Sequence, residues 1–260
     1  MPRPRQDTGR PRSPWRRWLR RAFVAWGVFA MTYLVAGYRT VGLPAEVLHS
    51  SDAVELQDGR ESLSMMPSEY DAGLLFFCGS GVAAPAYAPL LRPIAEQGHA
   101  VFIIKLPYRF APFESHRNES VDRARRIIAE HPEVVHWTAA GHSLGGALAC
   151  LLARDNTELL SGLVLIGTTH PKQDDLSSLT MPVAKVYATN DGVAPAERVA
   201  SNRGLLPPGA RFVEIEGGNH CQFGNYAWQF LDGSATISRA EQQDATRSVL
   251  LDTIEASLDE

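Results

Sequence analysis

Residues 139–149 read Ala-Ala-Gly-His-Ser-Leu-Gly-Gly-Ala-Leu-Ala. Ser143 is thus framed by Gly141 and Gly145, with a strand-like run before it (134–140, Val-Val-His-Trp-Thr-Ala-Ala) and a helix-like run after it (144–154). A strand that turns at once into a helix must hold its corner residue in a strained backbone conformation. Glycines two positions to either side let the two segments approach without Cβ collisions. The corner side chain is thrown toward solvent at the start of the next helix, where unpartnered backbone N–H groups can stabilise an oxyanion. A Gly-x-Ser-x-Gly string arises by chance in roughly one chain in ten of this size and composition. The flanking strand and helix patterns therefore carry the reading of Ser143 as a nucleophile.

A nucleophilic serine needs a base, and the base needs an orienting carboxylate. In the fold class where a nucleophile sits at such a turn, the chain order is Ser, then acid, then His, each in a loop after a later strand. The β-branched run 182–189 ends in Asn190-Asp191-Gly192, which puts a carboxylate at a strand's C-terminal end. The alternating run 210–216 is followed by Gly217-Gly218-Asn219-His220. Alone, Asp191 reads as a turn residue and His220 as a surface histidine. Their order and spacing after Ser143 make them the expected acid and base.

Three stretches resemble the α/β-hydrolase superfamily over residues 73–258: Gly141-His142-Ser143-Leu144-Gly145-Gly146, Asn190-Asp191-Gly192, and the long run Glu216-Gly217-Gly218-Asn219-His220-Cys221-Gln222-Phe223-Gly224-Asn225-Tyr226. Within it the chain is similar to small, lid-poor bacterial hydrolases related to dienelactone hydrolase. The resemblance implies a serine esterase-like mechanism with no metal and no organic cofactor, acting on a small acyl substrate. Dienelactone hydrolase itself carries a cysteine nucleophile where this chain has Ser143, which argues against its particular lactone chemistry.

An oxyanion hole needs two donors. The backbone N–H of Leu144, directly after the nucleophile, is one; the other should come from the loop after the first core strand, 73–77. That loop reads Cys78-Gly79-Ser80-Gly81-Val82, and its alignment with the superfamily's His-Gly position makes Ser80 the expected second donor, ahead of Val82.

The remaining runs alternate strand-like and helix-like: 85–97, 100–106, 117–130, 160–167, 195–203 and 239–258, around those already named. Such alternation predicts an α/β fold, a mainly parallel sheet with helices on both faces. Catalytic loops then gather at the C-terminal ends of the strands. The connection 167–182 is too short for a helical lid. Residues 54–66, with Asp58-Gly59 between apolar runs, read as a hairpin ahead of the core.

Residues 1–21 hold eight arginines and one acid, and residues 22–38 hold no charge. This predicts a basic cytoplasmic tail (1–21), an uncleaved signal-anchor helix (22–38) in preference to a cleaved signal peptide or a core helix, a linker with the hairpin (39–72), and the hydrolase-like domain (73–260) outside the cytoplasm. Leaving out residues 1–21, the totals of 25 basic and 29 acidic residues fall to 17 and 28, a net charge of −11. An acidic body of this kind is a poor nucleic-acid binder. Cys78, Cys150 and Cys221 match no zinc spacing. Cys78 and Cys150 read as packing residues, and Cys221, beside His220, as a lining residue. His142 reads as structural. Gln222, Tyr226, Gln229 and Asp232 are expected to shape the loop after His220, with Asp232 as the reserve acid.

Overall fold

The computed structural model describes residues 14–258. Residues 1–13 of the arginine-rich segment 1–21 therefore lie outside the described residues. Helix α1 spans Pro14–Gly37, starting before the uncharged stretch begins. Arginine is a good helix former, and proline is tolerated at a first helical position, so charge alone does not end the helix. At about 1.5 Å per residue its 24 residues extend roughly 36 Å, enough to cross a hydrocarbon layer of about 30 Å. Trp18, Phe23, Trp26, Phe29 and Val35 all face outward. It is the one helix among the described residues long and apolar enough to cross a membrane.

The hairpin follows as β1 (Val54–Asp58) and β2 (Ser62–Pro67), antiparallel, with Asp58 opposite Leu63. Then come β3 (Ala72–Phe77), α2 (Ala88–Ala95), β4 (His99–Ile104), α3 (Glu114–Glu130), β5 (His136–His142), α4 (Leu144–Asp155), β6 (Gly162–Ile166), β7 (Val183–Ala188), α5 (Ala196–Ser201), β8 (Arg211–Ile215) and α6 (Arg239–Leu258). The eight strands form one sheet in the order β1-β2-β4-β3-β5-β6-β7-β8. From β4 to β8 every pairing is parallel; β2 meets β4 antiparallel.

Strands β3, β4 and β6 are buried at every residue, as expected of a parallel sheet covered on both faces. Helices α4 and α6 both lie on β5 and β6, while α2 packs with α6 and α3 with α4. The two helix layers thus cover opposite faces. The connection from residue 167 to 182 contains neither helix nor strand, so no helical lid stands there.

Lys185, on β7, is fully buried and its Nζ donates to the His170 carbonyl. Burial pulls its pKa down from the usual 10.5 to about 8. Between those two values the unfolded chain keeps a proton that the folded one releases, so this group makes folding more favourable as pH rises from 8 to 10.5, and contributes no slope below 8. The stability difference between wild type and Lys185→Met should therefore climb across that window by about 1.4 kcal/mol per pH unit at most. Denaturant melts of both proteins at pH 7, 9 and 10 would check it; parallel curves would refute it.

Candidate active site

The corner between β5 and α4 falls on Ser143, at φ 57° and ψ −117°. A non-glycine residue in this region costs on the order of 1–3 kcal/mol and persists only where its surroundings impose it. They do so here through close backbone approach. A Cβ on Gly141 would stand 2.2 Å from the Gly145 backbone, and one on Gly145 only 2.0 Å from the Phe77 carbonyl oxygen. The start of α4 is thus pressed onto the end of β3, and Ser143 N–H is tied to the Ile166 carbonyl at 2.9 Å.

Asp191 lies just past β7 and is buried. Its Oδ1 accepts the backbone N–H groups of Val193 (2.8 Å) and Ala194 (2.6 Å), and its Oδ2 lies 2.8 Å from His220 Nδ1. His220 is itself fully buried, and its Nε2 has no hydrogen-bond partner among the described residues. With Nδ1–H donated to a carboxylate, Nε2 is the ring's open proton acceptor. Ser143, Leu144 and His220 line one cavity of about 160 Å³, walled also by residues 167–170, Lys172, Val193 and Ala194. The three side chains expected to act together are thereby gathered at the C-terminal ends of β5, β7 and β8.

Asp232 does not stand at the ring as a reserve acid would. Its Oδ1 accepts His220 N–H and its Oδ2 accepts Cys221 N–H, both at 2.9 Å, so it holds the backbone of the histidine loop. Gln222 and Tyr226 brace the same loop, through bonds to the Ile237 and His220 carbonyls; Gln229 accepts the Tyr226 hydroxyl at 3.3 Å. Cys221 is buried and is not among the residues that line the cavity around Ser143. All three thiols are free and buried. Burial raises Cys78 and Cys150 to about 12, and raises Cys221 further with the help of the Asp232 charge. Since the thiolate is the reactive form, iodoacetamide should leave the native protein unmodified at pH 7.5. Mass spectrometry would check this, and fast alkylation would contradict the burial.

In the loop after β3, three amides are already engaged: Gly79 N–H donates to the Tyr87 hydroxyl (2.9 Å), Gly81 N–H to Arg109 O (2.7 Å) and Val82 N–H to Gly79 O (3.1 Å). Among the described residues Ser80 N–H and Leu144 N–H have no acceptor. Val82, the alternative donor, is thus occupied, whereas the two favoured amides are open.

Sequence reasoning missed Tyr87. Its hydroxyl accepts Gly79 N–H and stands 2.9 Å from His142 Nδ1, joining the loop after β3 to the residue before Ser143. The His142 ring is buried 4.5 Å from the His220 ring. Burial, and then repulsion from His220, push its pKa far below the ordinary value, so it remains neutral behind the proton-accepting histidine. Nothing local in the sequence signals this contact, because Tyr87 and His142 lie 55 positions apart.

Geometry and order of the strands define the class, and comparison with known families agrees: the α/β-hydrolase family matches residues 73–244, and the chain belongs to it. The match resolves the superfamily, not the dienelactone branch. No functionally curated protein matches the sequence. Similar solved structures include an α/β-hydrolase enzyme from a sediment metagenome of the Mar Chica lagoon, Morocco (TM-score 0.58, 16% identity, covering 76% of this chain and 96% of that one). Est1E from Butyrivibrio proteoclasticus follows at TM-score 0.56 and 13% identity over 78% and 99% of the two chains. A thermophilic esterase from Thermogutta terrifontis has TM-score 0.59 and 12% identity over 75% and 94%. At these identities the likeness is one of fold.

Proposed function

We propose that this protein is a serine hydrolase of carboxylic esters, thioesters or lactones, tethered to a membrane by α1 with its catalytic domain outside the cytoplasm. The observation that carries the reading is the convergence of a strained Ser143, an Asp191-bound His220 with Nε2 open, and a common cavity. His220 Nε2 takes the Ser143 proton as Oγ attacks the substrate carbonyl. Leu144 and Ser80 N–H groups hold the developing oxyanion, and Asp191 supports the imidazolium. His220 then returns the proton to the leaving group, giving an acyl-enzyme; it next takes a proton from water as the water oxygen attacks the acyl carbon, and passes that proton to Ser143 Oγ as the C–Oγ bond breaks and the acid leaves.

The esterase named among the structural neighbours supports this chemistry by fold analogy alone. Exposure of most of α1 and the arginines at its start support a positive-inside anchor. The test is a fluorophosphonate probe applied to fractionated cells. A labelled full-length band in the membrane fraction, absent from cells carrying Ser143→Ala, is expected. Labelling that persists in the variant would end the mechanistic reading, and full-length protein in the soluble fraction would end the tether. A series of p-nitrophenyl esters of increasing chain length would then define the acyl preference.

A further inference from the structure

A second cavity, of about 480 Å³, lies between the β1–β2 turn, the loop after β3 and the connection from β4 to α3. Its charged lining consists of Arg60, Lys105, Arg109 and Arg123, with no carboxylate among the lining residues. This gathering of cations occurs in a chain whose residues 22–260 carry a net charge of −11. Two of the four are neutralised from outside the cavity: Lys105 by Asp58, and Arg123 by Glu119 at 3.1 Å. Arg109 donates only to the Tyr38 carbonyl, at 3.2 Å, and Arg60 has no partner among the described residues. Two guanidinium groups are therefore left to compensate a ligand's charge.

The backbone around them is unusual. Tyr108, Arg109 and Ala111 have φ of 53°, 63° and 42°, three non-glycine residues in the left-handed region within four positions, where strain of this kind gathers at functional positions. Beyond the four cations the wall consists of Tyr108 and a small, apolar stretch, Val82–Pro85 and Leu106–Pro107.

We propose that this cavity binds the phosphate group of an organic phosphate, gripped by Arg60 and Arg109, with the organic part against the apolar wall. Guanidinium forks match phosphate oxygens in bidentate geometry, and the volume exceeds what a bare ion fills. The Arg109–Tyr38 contact sets the cavity at the end of α1, within reach of a lipid headgroup, while a soluble phosphate ester carries the same recognised group. Val82 and Ala83 line the cavity and Gly81 N–H donates to Arg109 O, so a ligand there lies against the loop that carries Ser80. The assignment does not depend on the reading of Ser143.

The experiment uses the full-length protein in a neutral detergent, titrated calorimetrically with glycerol 3-phosphate and, separately, with micelles containing phosphatidylglycerol. Saturable binding is expected, weakened about tenfold by Arg60→Gln and by Arg109→Gln. Arg60→Gln, on an exposed turn, should keep its circular dichroism spectrum and its turnover of a neutral p-nitrophenyl ester. Binding of phosphatidylglycerol alone identifies the lipid headgroup as the source, and binding of both probes identifies the shared phosphate. No saturable binding of either probe, or unchanged affinity in folded Arg60→Gln, overturns the proposal while leaving fluorophosphonate labelling of Ser143 unaffected.

Discussion

Ser143→Ala should lower ester turnover by about 10⁶-fold, the loss expected when the attacking atom itself is removed from a group that acts as a unit. The fold should survive. Ser143 Oγ makes no hydrogen bond among the described residues, and alanine meets the φ of 57° with the same Cβ that serine already carries. The strain at the corner is borne by the Gly141–Gly145 approach and the bond from Ser143 N–H to Ile166 O, none of which involves the hydroxyl. Thermal melts of the two proteins should therefore coincide while kcat diverges, and residual turnover should be measured on protein free of host esterases. A pure, folded variant that retains wild-type activity would remove Ser143 from the mechanism. Loss of both activity and melting transition would mean that the hydroxyl has a structural role absent from this geometry.

The corner at Ser143 and the placement of Asp191 and His220 just past strand ends were legible because each is marked by a local rule: glycines around a corner residue, a turn at a strand's end, alternation before a glycine pair. The mainly parallel sheet followed from alternation of element types, and the 54–66 hairpin from a turn dipeptide between apolar runs. What stayed hidden is made by distant residues. Tyr87 reads as part of a helical run, and only packing of the loop after β3 against β5 brings its hydroxyl to Gly79 and His142. The four cations of the second cavity come from three separate parts of the chain, and each alone reads as solvated surface charge. The start of α1 was not marked by the uncharged stretch 22–38 for a different reason. Lack of charge sets the depth at which a helix sits in a membrane, whereas helix propensity sets where it begins, and arginine satisfies the second without the first.

Asp191→Asn should lower kcat by about 10³ to 10⁴-fold with little change in stability. Oδ1 accepts two backbone N–H groups, from Val193 and Ala194, and an asparagine oxygen can retain both. What changes is the group facing His220. An amide nitrogen in place of Oδ2 donates to Nδ1 instead of accepting from it, which moves the ring proton to Nε2 and blocks the atom that must receive the Ser143 proton. Asp232→Asn supplies the contrast, because Asp232 meets the backbone of residues 220 and 221 and not the ring. One of its two acceptors would become a donor facing an N–H, at a cost of about 1–3 kcal/mol in stability, while the ring keeps its carboxylate partner and its tautomer. The two variants should separate, one losing turnover at constant melting temperature and the other losing melting temperature with at most a modest fall in kcat. The reverse pattern would transfer the role of acid to Asp232, against the order Ser, Asp, His along the chain and against the 2.8 Å contact between Asp191 and His220.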